Sequence, residues 1–220
     1  MRLVADGLAC TRGARPLFSE LGFVLEAGVV LVVTGPNGTG KSSLLRLLAG
    51  LAAPTAGTVR LEGEGVEPDA PLAEQAHYLG HLDAHKAALS AAENLGFWRA
   101  LMGRPRLGIE EALARVGLAG LGPLPVAVLS AGQKRRLALA RLLVAHRPLW
   151  LLDEPTTALD VAAQARFGEI AQGHLDAGGL IVAATHAPLG LSPMRELALG
   201  AAVAPRVDAG PAPVAAEPGW

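Results

Sequence analysis

Three short stretches of the chain carry residue types that could act together on a phosphorylated ligand. The first is Gly35-Pro36-Asn37-Gly38-Thr39-Gly40-Lys41-Ser42, followed by Ser43. It fits the phosphate-loop pattern of two glycines with four residues between them, then lysine and a hydroxyl residue. The glycines let the backbone curl so that successive N–H groups face phosphate oxygens, and the next helix adds the positive end of its dipole. Lys41 offers a mobile cation to the β- and γ-phosphates, and the Ser42 hydroxyl offers an oxygen to Mg2+. The second stretch, residues 149–154, is an apolar run ending in Asp153 and Glu154. From the end of a buried strand, Asp153 would reach Mg2+ through water and Glu154 would face an attacking water. Two acids could instead simply cap a helix ahead of Pro155. The phosphate loop upstream decides against that, because the pair supplies what a nucleotide site still lacks. The third stretch is Leu129-Ser130-Ala131-Gly132-Gln133, where Ser130 and a helix N-terminus would form a second anion site.

These residues need strands that end, and helices that begin, at one edge. Residues 29–33 are a continuous, mostly β-branched run suited to a strand covered on both faces, and the apolar runs 149–152 and 180–184 read as two more buried strands. Residues 3–5 and 22–25 predict antiparallel strands, and 58–61 one more. Helices are predicted over 42–51, from a Ser90–Glu93 capping box through Met102, over 109–116, from Ser130 to His146, and over 161–175. The expected architecture is α/β: a P-loop NTPase core, mostly parallel with helices on both faces, plus an antiparallel β subdomain and a helical lobe inserted at about 82–145. One domain is expected over 1–200, and the Ala/Pro-rich tail 201–220 is expected to be disordered.

Composition narrows the classes. With 51% hydrophobic and 18% charged residues the chain can bury a core, and a formal net charge of −1 gives no electrostatic case for a nucleic-acid partner. The single cysteine, Cys10, forbids an intramolecular disulfide and suits a reducing compartment. No secretory leader is legible, and no apolar run approaches the roughly 20 residues of a membrane span. Any role at a membrane is expected from its aqueous side.

The order of phosphate loop, helical insertion, Leu129–Gln133 stretch and acid-ended strand resembles the ATP-binding cassette family, whose signature Ala131 alters by one residue. Ala158-Leu159-Asp160 and His186 after Thr185 extend the likeness. The resemblance implies binding and hydrolysis of ATP with Mg2+, Glu154 as general base and His186 at the γ-phosphate. It also implies that Ser130, Gly132 and Gln133 reach the γ-phosphate held by another copy, giving an ATP-dependent homodimer with Asp160 near the shared site. Two positions depart from the family pattern. His81 stands where a glutamine usually senses Mg2+, which makes it a candidate Mg2+-site residue. No aromatic is present near Arg12, so either Arg12 stacks on the base or the base is loosely held.

Tyr78-Leu79-Gly80-His81 and 89–98 are similar to the ATPase subunits of cytochrome c biogenesis systems, although Leu82 replaces their usual glutamine. That likeness implies integral membrane permease subunits of a cytochrome c maturation complex as partners, at the cytoplasmic face of the bacterial inner membrane, with haem handling as the work driven. Haem ligation by His77, His81 or His85 is disfavoured for want of an aromatic-rich pocket. The ATPase of another small transporter is the nearest alternative. A soluble cassette ATPase would carry coiled coils, tandem cassettes or a basic face, and a small-molecule kinase has no use for Leu129–Gln133.

Overall fold

The computed structural model describes residues 1–200. A five-stranded parallel sheet has the order β5-β6-β7-β3-β8, and a three-stranded antiparallel sheet has the order β2-β1-β4. The parallel strands are β3 (Val30–Thr34), β5 (Ala76–Leu79), β6 (Leu149–Asp153), β7 (Leu180–Ala184) and β8 (Met194–Ala198). The antiparallel sheet holds β1 (Arg2–Arg12), β2 (Arg15–Glu26) and β4 (Ala56–Glu62). The helices are α1 (Lys41–Leu48), α2 (Leu72–Gln75), α3 (Ala91–Met102), α4 (Ile109–Arg115), α5 (Ala131–Val144) and α6 (Val161–Asp176).

Every residue of β6 and β7 is buried. Side chains of a strand point alternately to opposite faces, so a strand covered on both sides must be apolar throughout. Trp150, Leu152, Ile181 and Ala183 pack with α5 and α6, whereas Leu149, Leu151, Val182 and Ala184 pack with α1 and the antiparallel sheet. Between β5 and β6 in the chain lie α3, α4 and α5, which pack on one another. No helix among the described residues is long and apolar enough to cross a membrane.

The expected elements are present, with shifted ends. β1 and β2 run far beyond 3–5 and 22–25, and their register shifts between Ala5 and Leu8 and again toward Thr11. Such bulges break the two-residue alternation on which a sequence reading depends. α1 stops at Leu48, short of 51, because Gly50 takes φ 66° and the Gly50 and Leu51 amides turn back to Leu47 O and Arg46 O. This reverse closure of a helix end favours glycine. The short β5 and the edge strand β8 were not expected. The tail 201–220 lies outside the described residues.

Candidate nucleotide site

β3 and β6 flank β7, so the loops leaving all three open at one edge of the sheet. Ligands of parallel α/β sheets bind beyond the carboxyl ends of the strands. The loop after β3 runs through Gly35, at φ 133°, where a Cβ would stand 2.2 Å from Leu199 O, so no side chain fits there. At Gly40, φ 105° makes the left-handed turn into α1. That helix has no side-chain cap and no acidic residue in its first turn, which leaves its leading amides free for an external acceptor. The Lys41 ammonium donates to Gly35 O at 2.6 Å and to Pro36 O at 3.2 Å, folding back over the loop. Thr39 Oγ1 donates to Pro36 O at 2.9 Å.

A cavity of about 270 Å3 opens over this loop. Asn37, Gly38, Gly40, Lys41, Ser42 and Ser43 form one wall; Asp153, Glu154 and His81 form another, and Arg12 and Leu17 border it. Asp153, the last residue of β6, is buried. Glu154 follows at φ 46°, with its amide donating to Ala184 O at 2.8 Å and its carboxylate accepting from Thr185 Oγ1 at 3.2 Å. The base candidate is therefore pinned to the end of β7, from which the exposed His186 departs.

The residues suit Mg2+. The Ser42 hydroxyl and the Asp153 carboxylate are hard oxygen donors on one cavity. Among the described residues no cluster of three or more His, Cys, Asp or Glu could hold a metal alone. Mg2+ is commonly held in this way, by one or two protein oxygens completed by phosphates and water. His81 offers nitrogen, a poorer match for so hard an ion than oxygen.

Ser130, Gly132 and Gln133 do not line this cavity. Ser130 caps α5, its Oγ accepting from the Gln133 amide at 3.2 Å while Gln133 Oε1 accepts from the Ser130 amide at 2.8 Å. Ser130 is exposed. Gly132 lies against the turn before α6, where an added Cβ would stand 3.1 Å from Ala158 O. Asp160 caps α6, its Oδ1 accepting from the Ala163 amide at 2.7 Å. The nearby histidines face elsewhere. His77 is buried with Nε2 against Ala145 O at 3.0 Å, and burial pushes its pKa down to about 3. His85 Nε2 meets Lys134 O at 2.9 Å, and burial lowers its pKa too.

Sequence reasoning missed Arg135, which reaches the turn at Asp153–Pro155, and Thr185, which holds Glu154. The signal for Arg135 was present. It stands three, four and seven residues before Ala138, Leu139 and Leu142, which places a charge on the buried face of α5. Thr185 left no comparable mark.

A phosphate loop after one parallel strand, with an acid pair ending a strand two places away, defines a P-loop nucleotide-binding core of the ATP-binding cassette class. The fold agrees: a putative ABC transporter ATP-binding protein from Pyrococcus furiosus superposes with TM-score 0.75 at 22% identity, over 90% of this chain and 98% of that one. An ATP-binding cassette dimer in a post-hydrolysis state with ADP and Pi gives TM-score 0.75 at 20% identity, over 90% and 97%. The family model described as ABC transporter matches residues 18–157. Cytochrome c biogenesis ATP-binding export protein CcmA of Rhodopseudomonas palustris (strain BisB5) is 56% identical over 202 residues, which cover 92% of this chain and all of that protein. CcmA of Nitrobacter winogradskyi is likewise 56% identical over 202 residues, with the same coverage of each chain. The chain belongs to the ABC transporter family and, within it, to the CcmA cytochrome c biogenesis ATP-binding export proteins.

Proposed function

We propose that the chain is the ATP-hydrolysing subunit of an exporter that energises haem handling for cytochrome c biogenesis. It works as an ATP-dependent homodimer on integral membrane permease subunits, at the cytoplasmic face of the bacterial inner membrane. The observation that carries the catalytic part is the single cavity shared by Lys41, Ser42, Asp153, Glu154 and His81.

In this reading the triphosphate lies along the amides of Gly38 to Ser43, with Pro36, Asn37 and Thr39 shaping the loop. Lys41 leaves its two carbonyls to neutralise the β- and γ-phosphates. Ser42 and Asp153 would hold Mg2+, with His81 as a further candidate at the same ion. The ion, once bound, neutralises charge developing on the phosphate oxygens. Glu154 takes a proton from the attacking water. The water oxygen then bonds to the γ-phosphorus, and the bond to the β-phosphate oxygen breaks to release ADP. His186, at the end of β7, contacts the transferring group. Ser130, Gly132 and Gln133 serve the phosphate of a second copy, which accords with the exposure of Ser130 and the absence of all three from the cavity of their own chain.

The test is MgATP turnover by the chain and by Glu154→Gln, together with identification of membrane proteins that co-purify from the native membrane. Turnover confined to the native chain and recovery of cytochrome c maturation permeases support the reading. Near-normal turnover in Glu154→Gln, or a different membrane partner, defeats it.

A further inference from the structure

One buried guanidinium joins the two loops that bring His81 and the Asp153–Glu154 pair to the cavity. Arg135, in the first turns of α5, is only 4% exposed. Its Nη2 donates to Glu154 O at 2.6 Å and Asp153 O at 2.9 Å, and its Nε to Pro155 O at 3.2 Å. On the other side Nη1 donates to Gly80 O at 3.1 Å and to Asp83 Oδ1 at 2.7 Å. Every nitrogen of the fork is thus engaged, and five acceptors from two loops converge on one group.

We propose that Arg135 is a positioning residue for ATP hydrolysis, tying the loop that carries His81 to the turn that carries Asp153 and Glu154 and so fixing where the Glu154 carboxylate points. The proposal rests on the role given to Glu154 above. Three of the five acceptors are the successive carbonyls of residues 153–155, and carbonyl orientation sets the direction in which each neighbouring side chain leaves the backbone. Glu154 is a non-glycine residue at φ 46°, a conformation that persists only where its surroundings impose it. Its own carbonyl receives the shortest of the five bonds.

Packing alone would not ask for this residue. Burying a charge is costly unless it is paired and hydrogen-bonded, and an apolar side chain of similar size often stabilises a core as well. A lysine keeps the charge but has neither the planar fork nor enough donors for five acceptors. Asp83 is itself held from the far side. Arg141 donates to Asp83 O at 3.0 Å and to Tyr78 O at 3.3 Å while lying over the Trp98 ring of α3 at 3.9 Å. The loop at 80–83 is therefore fixed between two arginines of α5, and Arg135 carries that fixation to the acid pair.

Arg135→Lys and Asp83→Asn in the full chain, beside Glu154→Gln, test the bridge through three readouts: kcat and KM for MgATP, ATP affinity by nucleotide fluorescence, and amide hydrogen exchange. In Arg135→Lys, kcat falls by about 10- to 100-fold, the scale of a misplaced reacting group, while KM and ATP affinity stay within about twofold. The Glu154 amide, bonded to Ala184 O, and the Thr157 amide, bonded to Glu154 O, exchange at least about tenfold faster, whereas α6 stays as in the native chain. Asp83→Asn changes the same readouts by less. It keeps the guanidinium and its four carbonyl bonds, so it carries the test if the lysine variant does not fold. Unchanged exchange at 153–157, unchanged kcat, or a parallel loss of kcat, ATP affinity and α6 protection overturns the proposal. Fast turnover in Glu154→Gln defeats the assignment of the base instead, and exchange at 153–157 still decides the bridge.

Discussion

Two helix N-termini in this chain could receive a phosphate, and they are finished in opposite ways. α1 begins at Gly40 with no side-chain cap. α5 begins at Ser130 with a full capping box, which satisfies the Ser130 and Gln133 amides. The uncapped end is incomplete until an anion arrives, as suits a helix built round its own ligand. At the capped end the helix's own side chains already occupy part of the donor set, and in the proposed dimer the remaining amides would meet an anion brought by the second copy. A third helix shows which detail matters. α3 carries the same box from Ser90 and Glu93, and the Ser90 bonds hold the Glu93 carboxyl below its usual range. An ionised Glu93 repels phosphate, whereas Gln133 at the equivalent place of α5 is neutral. Caps of one pattern thus differ in charge: the α3 box ends in a carboxyl and the α5 box in a neutral amide, as an incoming phosphate would require.

The largest effects are expected at the uncapped end and the carboxylate facing it. Glu154→Gln is expected to slow hydrolysis by about 10²–10⁴-fold, the scale of losing a general base, with ATP still bound and the dimer retained. Lys41→Ala removes tight binding itself. Fluorescent-nucleotide titration beside a phosphate-release assay separates the two, and an unchanged affinity in Lys41→Ala would break the comparison at its first term.

A charge swap between the boxes comes next. Gln133→Glu copies the α3 box onto α5, keeping the cap while placing a negative charge where a partner's phosphate would come. ATP-driven dimerisation, followed by light scattering with the Glu154→Gln variant as background, is expected to weaken at least about tenfold, since like charges in close contact cost on the order of 1.4 kcal/mol or more. Glu93→Gln leaves dimerisation and turnover as they were. Equal responses would mean that α5 is merely another capped helix.

Truncating the caps gives smaller and more diagnostic changes. Ser90→Ala and Ser130→Ala should each cost about 1 kcal/mol of stability by urea unfolding, the usual value of a lost N-cap. Only Ser130→Ala should also lower turnover, and a fall in both would assign the effect to stability.

What could be read from sequence follows from how local each device is. The phosphate loop and both Ser-capped helices are written in contiguous residues or at i,i+3 spacing, so they survive without knowledge of the fold. β8 is not so written. Of Met194 to Ala198 only Leu197 is buried, and the strand exists because β3, some 160 positions earlier, offers it an edge. β5 has four residues and borrows its place from β6 in the same way. The candidate site shows the same division. Lys41, Asp153 and Glu154 are legible from chemistry at fixed spacing, and His81 from a family pattern. Arg135 meets Gly80 and Asp83 across more than 50 residues, a contact that only the folded chain supplies.

The smallest effect on the site, and a separate one on the fold, is expected behind the sheet. His174 lies stacked on Trp150 at 3.9 Å, and His77 approaches the same ring edge-on at 6.4 Å. Burial lowers His77 to about 3 and His174 to about 4, with the guanidinium groups of Arg141 and Arg147 adding to the shift of the first and Arg106 to that of the second. Both stay neutral in the fold, whereas in the unfolded chain they take up protons below about 6.5. The unfolded state then binds more protons, so their contribution is fully present above about pH 6.5 and is lost as pH falls toward 4 and 3. Each group's loss approaches about 1.4 kcal/mol per pH unit within that window. His77→Gln, which keeps a donor for Ala145 O, removes one of the two. Urea midpoints measured between pH 7 and 5 should therefore fall about half as steeply from these groups as in the native chain, with turnover at pH 7 nearly unchanged. An undiminished acid slope would place the proton uptake elsewhere, and a loss of turnover at pH 7 would mean that the histidine stack and the nucleotide cavity are not the independent regions their positions toward opposite ends of β6 imply.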